Sequence, residues 1–376
     1  MTLSFEDNIG TTLYKIVKEY SDLGIHRTGT DVDKATADWF AEQLKKRGAK
    51  VSRQEYSFDF FDGASKVILD GIEIPSMPLY YEAIGDFKTN HVAVAEFGDG
   101  EHGSGLDNTL ESMIDSAMLA GYEALVIATH GGKGNLVAIN CEPKLRNRIP
   151  VILVPGRYAN ALKTNSISIE YTAVIKPGAF TNITGHWGES SADPPLVITT
   201  PMSGWFTCAG ERGTGIAVSL HVAEWLSKQM PHFPLQLIAL SGHELGFCGA
   251  YRLTETVTVP PKAVMHLGSC LAAIDAQMQS ILHADTSTSN TIQNALAPMQ
   301  VTSISPENPL NPDCWVGESQ CWAKFGVPML SVAGLSPLFH TPDDVAEKAT
   351  TPELLNTVAR CFTKAAVAMS QISINK

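Results

Sequence analysis

The spacing of apolar and polar residues changes several times along the 376 residues, and each change marks an element. DVDKATADWFAEQLKKRGAKV brings Ala35, Ala37, Phe40 and Leu44 near one helical face. Asp31 or Asp33 is available to cap that helix, and Gly48 closes it. KVSRQEYSFDFF alternates as a strand does. HVAVAEFG and EALVIATHGG are strands, with LDNTLESMIDSAMLAGY as the helix between them, and RIPVILVPG is a further strand before a short helical RYANALK. From PLVITTP onward a regular alternation sets in. PLVITTP, PLQLIALS, KAVMHLGSC and VPMLSVAG are strands, and GTGIAVSLHVAEWLSKQM, GFCGAYRLTET and TPELLNTVARCFTKAAVAMSQI are helices.

Strands separated by helices imply an α/β fold, a doubly wound and mostly parallel sheet flanked by helices. The texture turns to short β runs and glycine turns between about 60 and 178. Residues 1–59 and 179–376 are therefore expected to form one α/β domain, with 60–178 an inserted β-rich domain. In such sheets ligands bind beyond the carboxyl ends of the strands.

Composition narrows the partners. The net charge is −12 and no Lys/Arg cluster occurs, which argues against nucleic acid and anionic membranes. No apolar run reaches the ~18 residues of a membrane helix. Seven cysteines without Cys-x-x-Cys spacing argue against a disulfide framework or a structural zinc knuckle. The start MTLSFEDNIG shows no secretory pattern, so a cytoplasmic location is expected.

Four expected strand-end loops carry Glu211, His243, Glu244 and His340. Two carboxylates and two imidazoles on one edge suit a metal with a water to activate. His243-Glu244 does not open a His-Glu-x-x-His zinc helix, because Phe247 stands where the second His belongs. Each group also has a plain structural reading: a hydrogen-bonded His, a first-turn Glu favoured by the helix dipole, and Asp343 as a helix cap. Composition and spacing alone reach a hydrolase-like α/β domain with a candidate metal site.

At these loops the chain resembles the zinc-dependent aminopeptidase family, which includes glutaminyl cyclases and the transferrin receptor branch. HRTGTDVDKATADWFAEQLKKRGAKV resembles its opening helix, and CAGERGTGIAVSLHVAEWL its Gly-Ala-x-Asp-x-x-Ser-Gly helix start. ALSGHELGFCGA resembles its Glu-Glu motif, while GESQCWAKFGVPMLSV and FHTPDD resemble its closing segments. SMIDSAMLAGYEALVIAT and IPVILVP resemble the protease-associated (PA) domain inserted in many members.

The resemblance implies five ligand positions for two zincs and a general-base Glu. Here Pro201 falls in the first His place, Ser203 in the neighbouring Asp place and Gly268 in a later Asp place. The bridging Asp falls on Glu211, the base on His243, and the remaining ligands on Glu244 and His340. The implied site is one zinc or other divalent transition metal on Glu211, Glu244 and His340, with His243 and Glu244 as the catalytic pair. A His in the base position suits proton transfer near neutral pH. The substrate implied is a small molecule or a peptide end with an amide bond, and Trp205, Trp315 and Trp322 are candidates to rim its pocket against a core-packing alternative. Three other readings stay open: a metal-free binding protein on the same fold, thiol catalysis by Cys208, and partial repair of the metal site by His266 or Cys270. A homodimer through the insertion is also left open.

Overall fold

The first apolar stripes fold as two helices, α1 (Gly10–Asp22) and α2 (Asp31–Lys46). The computed structural model describes residues 9–98, 108–189 and 193–372. Thr30 caps α2 by accepting the Asp33 N–H, in place of the expected Asp31 or Asp33. Asp33 instead turns back to accept the Gly29 N–H and the Ser241 hydroxyl, tying α2 to a distant loop. Ala37, Phe40 and Leu44 are buried as expected, whereas Ala35 faces solvent and Thr36 and Ala41 take its place.

The long strand β1 (Lys50–Leu69) follows, then β2 (Ile72–Ile74), β3 (Met77–Pro78), β4 (Gly85–Thr89) and β5 (Val92–Phe97). Next come α3 (Asn108–Leu119), β6 (Ala124–Thr129), β7 (Val151–Pro155), α4 (Ala159–Thr164) and β8 (Ile167–Trp187). The α/β alternation runs through β9 (Leu196–Pro201), α5 (Thr214–Gln229), β10 (Leu235–Leu240), α6 (Cys248–Thr256) and β11 (Ala263–Leu267). It ends with β12 (Gln277–His283), α7 (Thr286–Leu296), β13 (Thr302–Ile304), β14 (Met329–Leu335), α8 (Ala346–Ala349) and α9 (Pro352–Ser370).

One ten-stranded sheet runs β13-β12-β14-β11-β9-β10-β8-β1-β2, with β4 joined to β8. Its centre, β14-β11-β9-β10, is parallel, and antiparallel pairings attach β12 on one side and β8 on the other. Both faces of the centre are covered. Phe40, Ile198, Leu220 and Phe362 belong to the core under α1, α2, α5 and α9, and Val197, Ile238 and Trp322 to the core under α6 and the 3₁₀ turns 317–325. Two-sided burial is why LVITTP and LQLIAL are continuous apolar runs rather than alternating ones.

β1 and β8 pair antiparallel over their whole length, from Lys50 opposite His186 to Leu69 opposite Ile167. Only Ile183–Trp187 of β8 also pairs with β10, so the ribbon leaves the main sheet. Beyond it lies a second sheet, β3-β7-β6-β5, with cores of its own around Val126 and Ile152 on one face and Ile114 and Leu153 on the other. The sequence positions 60 and 178 fall mid-ribbon, where Phe60 faces Lys176 and Phe58 faces Gly178. No strand break marks them. Among the described residues, no helix is long and apolar enough to cross a membrane.

Phe362 is fully buried whereas Leu119 is 90 % exposed. Phe362→Ala is expected to cost about 3–5 kcal/mol and Leu119→Ala less than about 0.5 kcal/mol, both read from urea unfolding. A pH test addresses Asp33, whose carboxyl is pushed up to about 7 by burial, against the Gly29 hydrogen bond and with Glu244 adding to the rise. Such a group is protonated in the folded chain while the unfolded chain has already ionised, so stability falls as pH rises from about 4 to 7 and then levels. Unfolding free energies across that range should show this slope in the unchanged chain and a flatter curve in Asp33→Asn.

Candidate functional site

All four parallel strands end on one edge, and the loops beyond them build the site. After β9 the chain passes Ser203 and reaches Cys208 in a left-handed conformation (φ +48°). The turn Ala209–Gly213 then opens wide, with the Gly213 N–H reaching the Cys208 carbonyl five residues back. Such wide turns inside helices cluster at functional sites. This one places Glu211 at the start of α5. Asp344 fixes the turn by accepting from the N–H groups of Gly210 and Glu211. Burial pushes the Asp344 carboxyl up to about 7, with Glu211 adding to the rise.

After β10, Gly242 adopts a positive φ of 84°, and a Cβ there would stand 2.3 Å from the Cys248 sulfur. Only glycine fits this turn. The Ser203 hydroxyl accepts from the N–H groups of Gly242 and His243 and donates to Glu244 Oε2 at 2.8 Å. Glu244 Oε1 accepts the Thr28 N–H at 2.6 Å. Both oxygens of Glu244 are therefore engaged, in a fully buried position.

Glu211 faces elsewhere. Its Oε1 lies 2.5 Å from Arg212 Nη2 and 3.3 Å from His340 Nε2. Burial alone would raise the Glu211 pKa, but Arg212 and His340 outweigh it and hold the carboxyl well below its usual range. His340 sits at φ +57° and donates Nδ1–H to the Ala138 carbonyl at 3.0 Å. That bond leaves Nε2 as a buried atom without a hydrogen-bond partner, aimed at Glu211. His243 is held in the same fashion, with Nδ1 2.7 Å from Glu318 Oε1. One donor atom each from Glu211, His243 and His340 lies within 4.8 Å of the others. Two imidazoles anchored through Nδ1 to a carbonyl and a carboxylate are the usual outer-shell arrangement of metal-binding histidines.

The structure thus brings together three of the residues singled out by sequence, Glu211, His243 and His340, and turns Glu244 away toward Thr28 and Ser203. Each Glu244 oxygen already accepts a hydrogen bond, and Glu244 is not among the three residues whose donor atoms converge. A cleft of about 350 Å³ leads to His243 and Glu318, walled by Asn140, Phe247, Trp315 and Phe339. Of the three tryptophans only Trp315 lines it. Trp205 is buried against Tyr80 with its Nε1–H on Asn140, and Trp322 is buried under α6, so the packing alternative describes both.

The remaining candidates have structural partners. His266 Nδ1 pairs with Thr199 and its Nε2 lies 3.5 Å from Glu318. Burial lowers the His266 pKa to about 4 despite Glu318, so its ring is neutral near pH 7. β11 ends at Leu267, so the expected strand alternation does not extend to Cys270, whose thiol points to Ser336. Cys208 is buried in the main core, and burial together with Glu211 and Asp344 drives its thiol pKa far up, against a nucleophilic role. Asp343 is no helix cap either, since it pairs with Lys348 and Asn135.

Sequence reasoning missed Arg212, Glu318, Ala138 and Asp344. Arg212 had one signal, a charged residue inside the small-residue run CAGERGTG. Ala138 had none, since it acts through its backbone from the loop between β6 and β7.

No protein-family model and no curated protein matches the chain. Solved structures do match. A zinc aminopeptidase from Bacillus subtilis superposes with a TM-score of 0.74 at 18 % identity, covering 97 % of this chain and 95 % of that one. A peptidase M28 precursor from Shewanella amazonensis gives 0.72 at 16 %, covering 97 % of each chain. Porphyromonas gingivalis glutaminyl cyclase gives 0.54 at 12 %, covering 96 % of this chain and 98 % of that one. Together with the motif resemblance, these superpositions establish that the chain has the fold of the zinc aminopeptidases, peptidase M28 and glutaminyl cyclase, over nearly its whole length.

Proposed function

We propose that this chain is a peptidase-like hydrolase that cleaves an amide bond of a small molecule or peptide end, using at most one divalent metal ion. The observation that carries this reading is the convergence of Glu211, His243 and His340, with each imidazole anchored through Nδ1. Zinc is the ion suggested by the similar structures, which include a zinc aminopeptidase and a Zn-dependent exopeptidase. Three protein donors leave an open position, and a metal bound there would polarise a carbonyl and lower the pKa of a bound water.

The chain's own groups supply the rest. Ala138 and Glu318 accept from Nδ1 of His340 and His243, which would leave Nε2 of each ring free to bind a metal. Glu318 keeps Oε2 without a hydrogen-bond partner at the cleft wall, where it can receive a proton. Burial would raise its pKa, but His243, His266 and Arg212 outweigh that and hold it down at about 2. His243, which the sequence suggested as the base, serves here as a metal donor. Phe247, Trp315 and Phe339 suit an apolar substrate group, in a cleft sized for a small ligand.

The segment 60–178 is taken as a PA-like insertion, on its motifs and its β5-α3-β6 order. Its loop carrying Ala138 and Asn140 roofs the site. A second reading, an inactive member that binds a partner, is favoured by the ion pair between Arg212 and Glu211, which neutralises a metal donor.

Aminoacyl p-nitroanilides and glutaminyl peptides are the first substrates to assay. Hydrolysis is expected to require zinc and to stop with 1,10-phenanthroline; turnover unaffected by chelator contradicts the proposal. His340→Ala and His243→Ala should each weaken zinc binding at least 100-fold in equilibrium dialysis. Glu244→Gln should still bind zinc, while losing about 1–3 kcal/mol of stability because Thr28 and Ser203 face a poorer partner. Zinc binding abolished by Glu244→Gln in a folded protein would restore Glu244 as a ligand.

A further inference from the structure

Arg212 is fully buried, an unusual place for a guanidinium. Its Nη2 contacts Glu211 at 2.5 Å, its Nε donates to the Ser203 carbonyl at 3.0 Å, and its Nη1 has no hydrogen-bond partner. An arginine keeps its proton under all ordinary conditions, so this charge is permanent. Around it the strand ends offer little to a metal. Pro201 closes β9 and Gly268 follows β11, and neither carries a donor side chain. Glu211 is thus shared between two claims: a fixed cation on one side and the imidazoles of His243 and His340 on the other.

We propose that Arg212 is a resident cation of the site, which neutralises Glu211 when no metal is bound and limits the site to a single, weakly held divalent ion. This rests on Glu211, His243 and His340 being the metal donors. A divalent ion that binds Glu211 must approach a positive charge already in contact with the same carboxylate, and the two repel in a medium with little water to screen them. Removing the charge while keeping the fold should therefore tighten metal binding. Arg212→Lys keeps a charge of the same sign and should change little.

The test is zinc titration calorimetry on chelator-treated full-length chain, with circular dichroism confirming the fold. Arg212→Met and Arg212→Gln are expected to bind zinc at least tenfold more tightly than the unchanged chain, and Arg212→Lys to stay within about threefold. Equal or weaker binding in folded Met and Gln variants overturns the proposal while leaving the single-metal hydrolase intact. Zinc binding by the Met variant but not by the unchanged chain supports the repulsion by Arg212 and overturns the single-metal hydrolase. Two zinc ions in the unchanged chain, or none in any folded protein, overturns it. If both neutral variants fail to fold, the ¹⁵N signal of the Arg212 guanidinium in the unchanged chain should shift on zinc addition; an unmoved signal at saturation, or no zinc bound, overturns the proposal.

Discussion

Charge held out of water governs this structure. Glu211, Arg212, Glu244 and Glu318 are each no more than 1 % exposed, clustered where the parallel strands end. An unpaired ion in such a place costs several kcal/mol, so every one of them must find a partner. Glu244 finds Thr28 and Ser203, Glu211 finds Arg212 and His340, and Glu318 finds His243. The turns around them serve these bonds. Left-handed Cys208, Phe247 and His340 bend the backbone at the three loops involved, conformations that side chains rarely adopt and that persist only where the surroundings enforce them.

The loop between β6 and β7 closes this arrangement. Ala138 and His340 exchange two hydrogen bonds, N–H to carbonyl in one direction and Nδ1–H to carbonyl in the other, and Cys141 adds an N–H to the Glu244 carbonyl. The site therefore belongs to both sheets. A loop of the second sheet fixes the tautomer of a histidine on the first.

Much of the fold was legible because its strongest signals are physical necessities. Strands buried on both faces must be apolar throughout, as LVITTP and LQLIAL are, and helices with one buried face must repeat apolar residues every three or four positions. The pattern does not mark β12, α7 and β13. QMQSILH lies near the sheet edge, exposed at its start and buried only over Ser280, Ile281 and Leu282, and TSTSNTIQNAL carries just Ile292, Ala295 and Leu296 as buried residues. The candidate site was legible as residue types and illegible as directions. Adjacent positions 243 and 244 sit on one turn, yet one side chain meets Glu318 and the other Thr28. Spacing cannot show that difference, because it arises from groups 75 and 216 residues away.

X-ray absorption at the zinc edge of the zinc-loaded full-length chain tests the central claim most directly. The account requires a single zinc per chain with two imidazoles and one carboxylate, reduced to one imidazole in His243→Ala. Two zincs, or a single zinc with one imidazole and two carboxylates that is indifferent to His243→Ala, would contradict it.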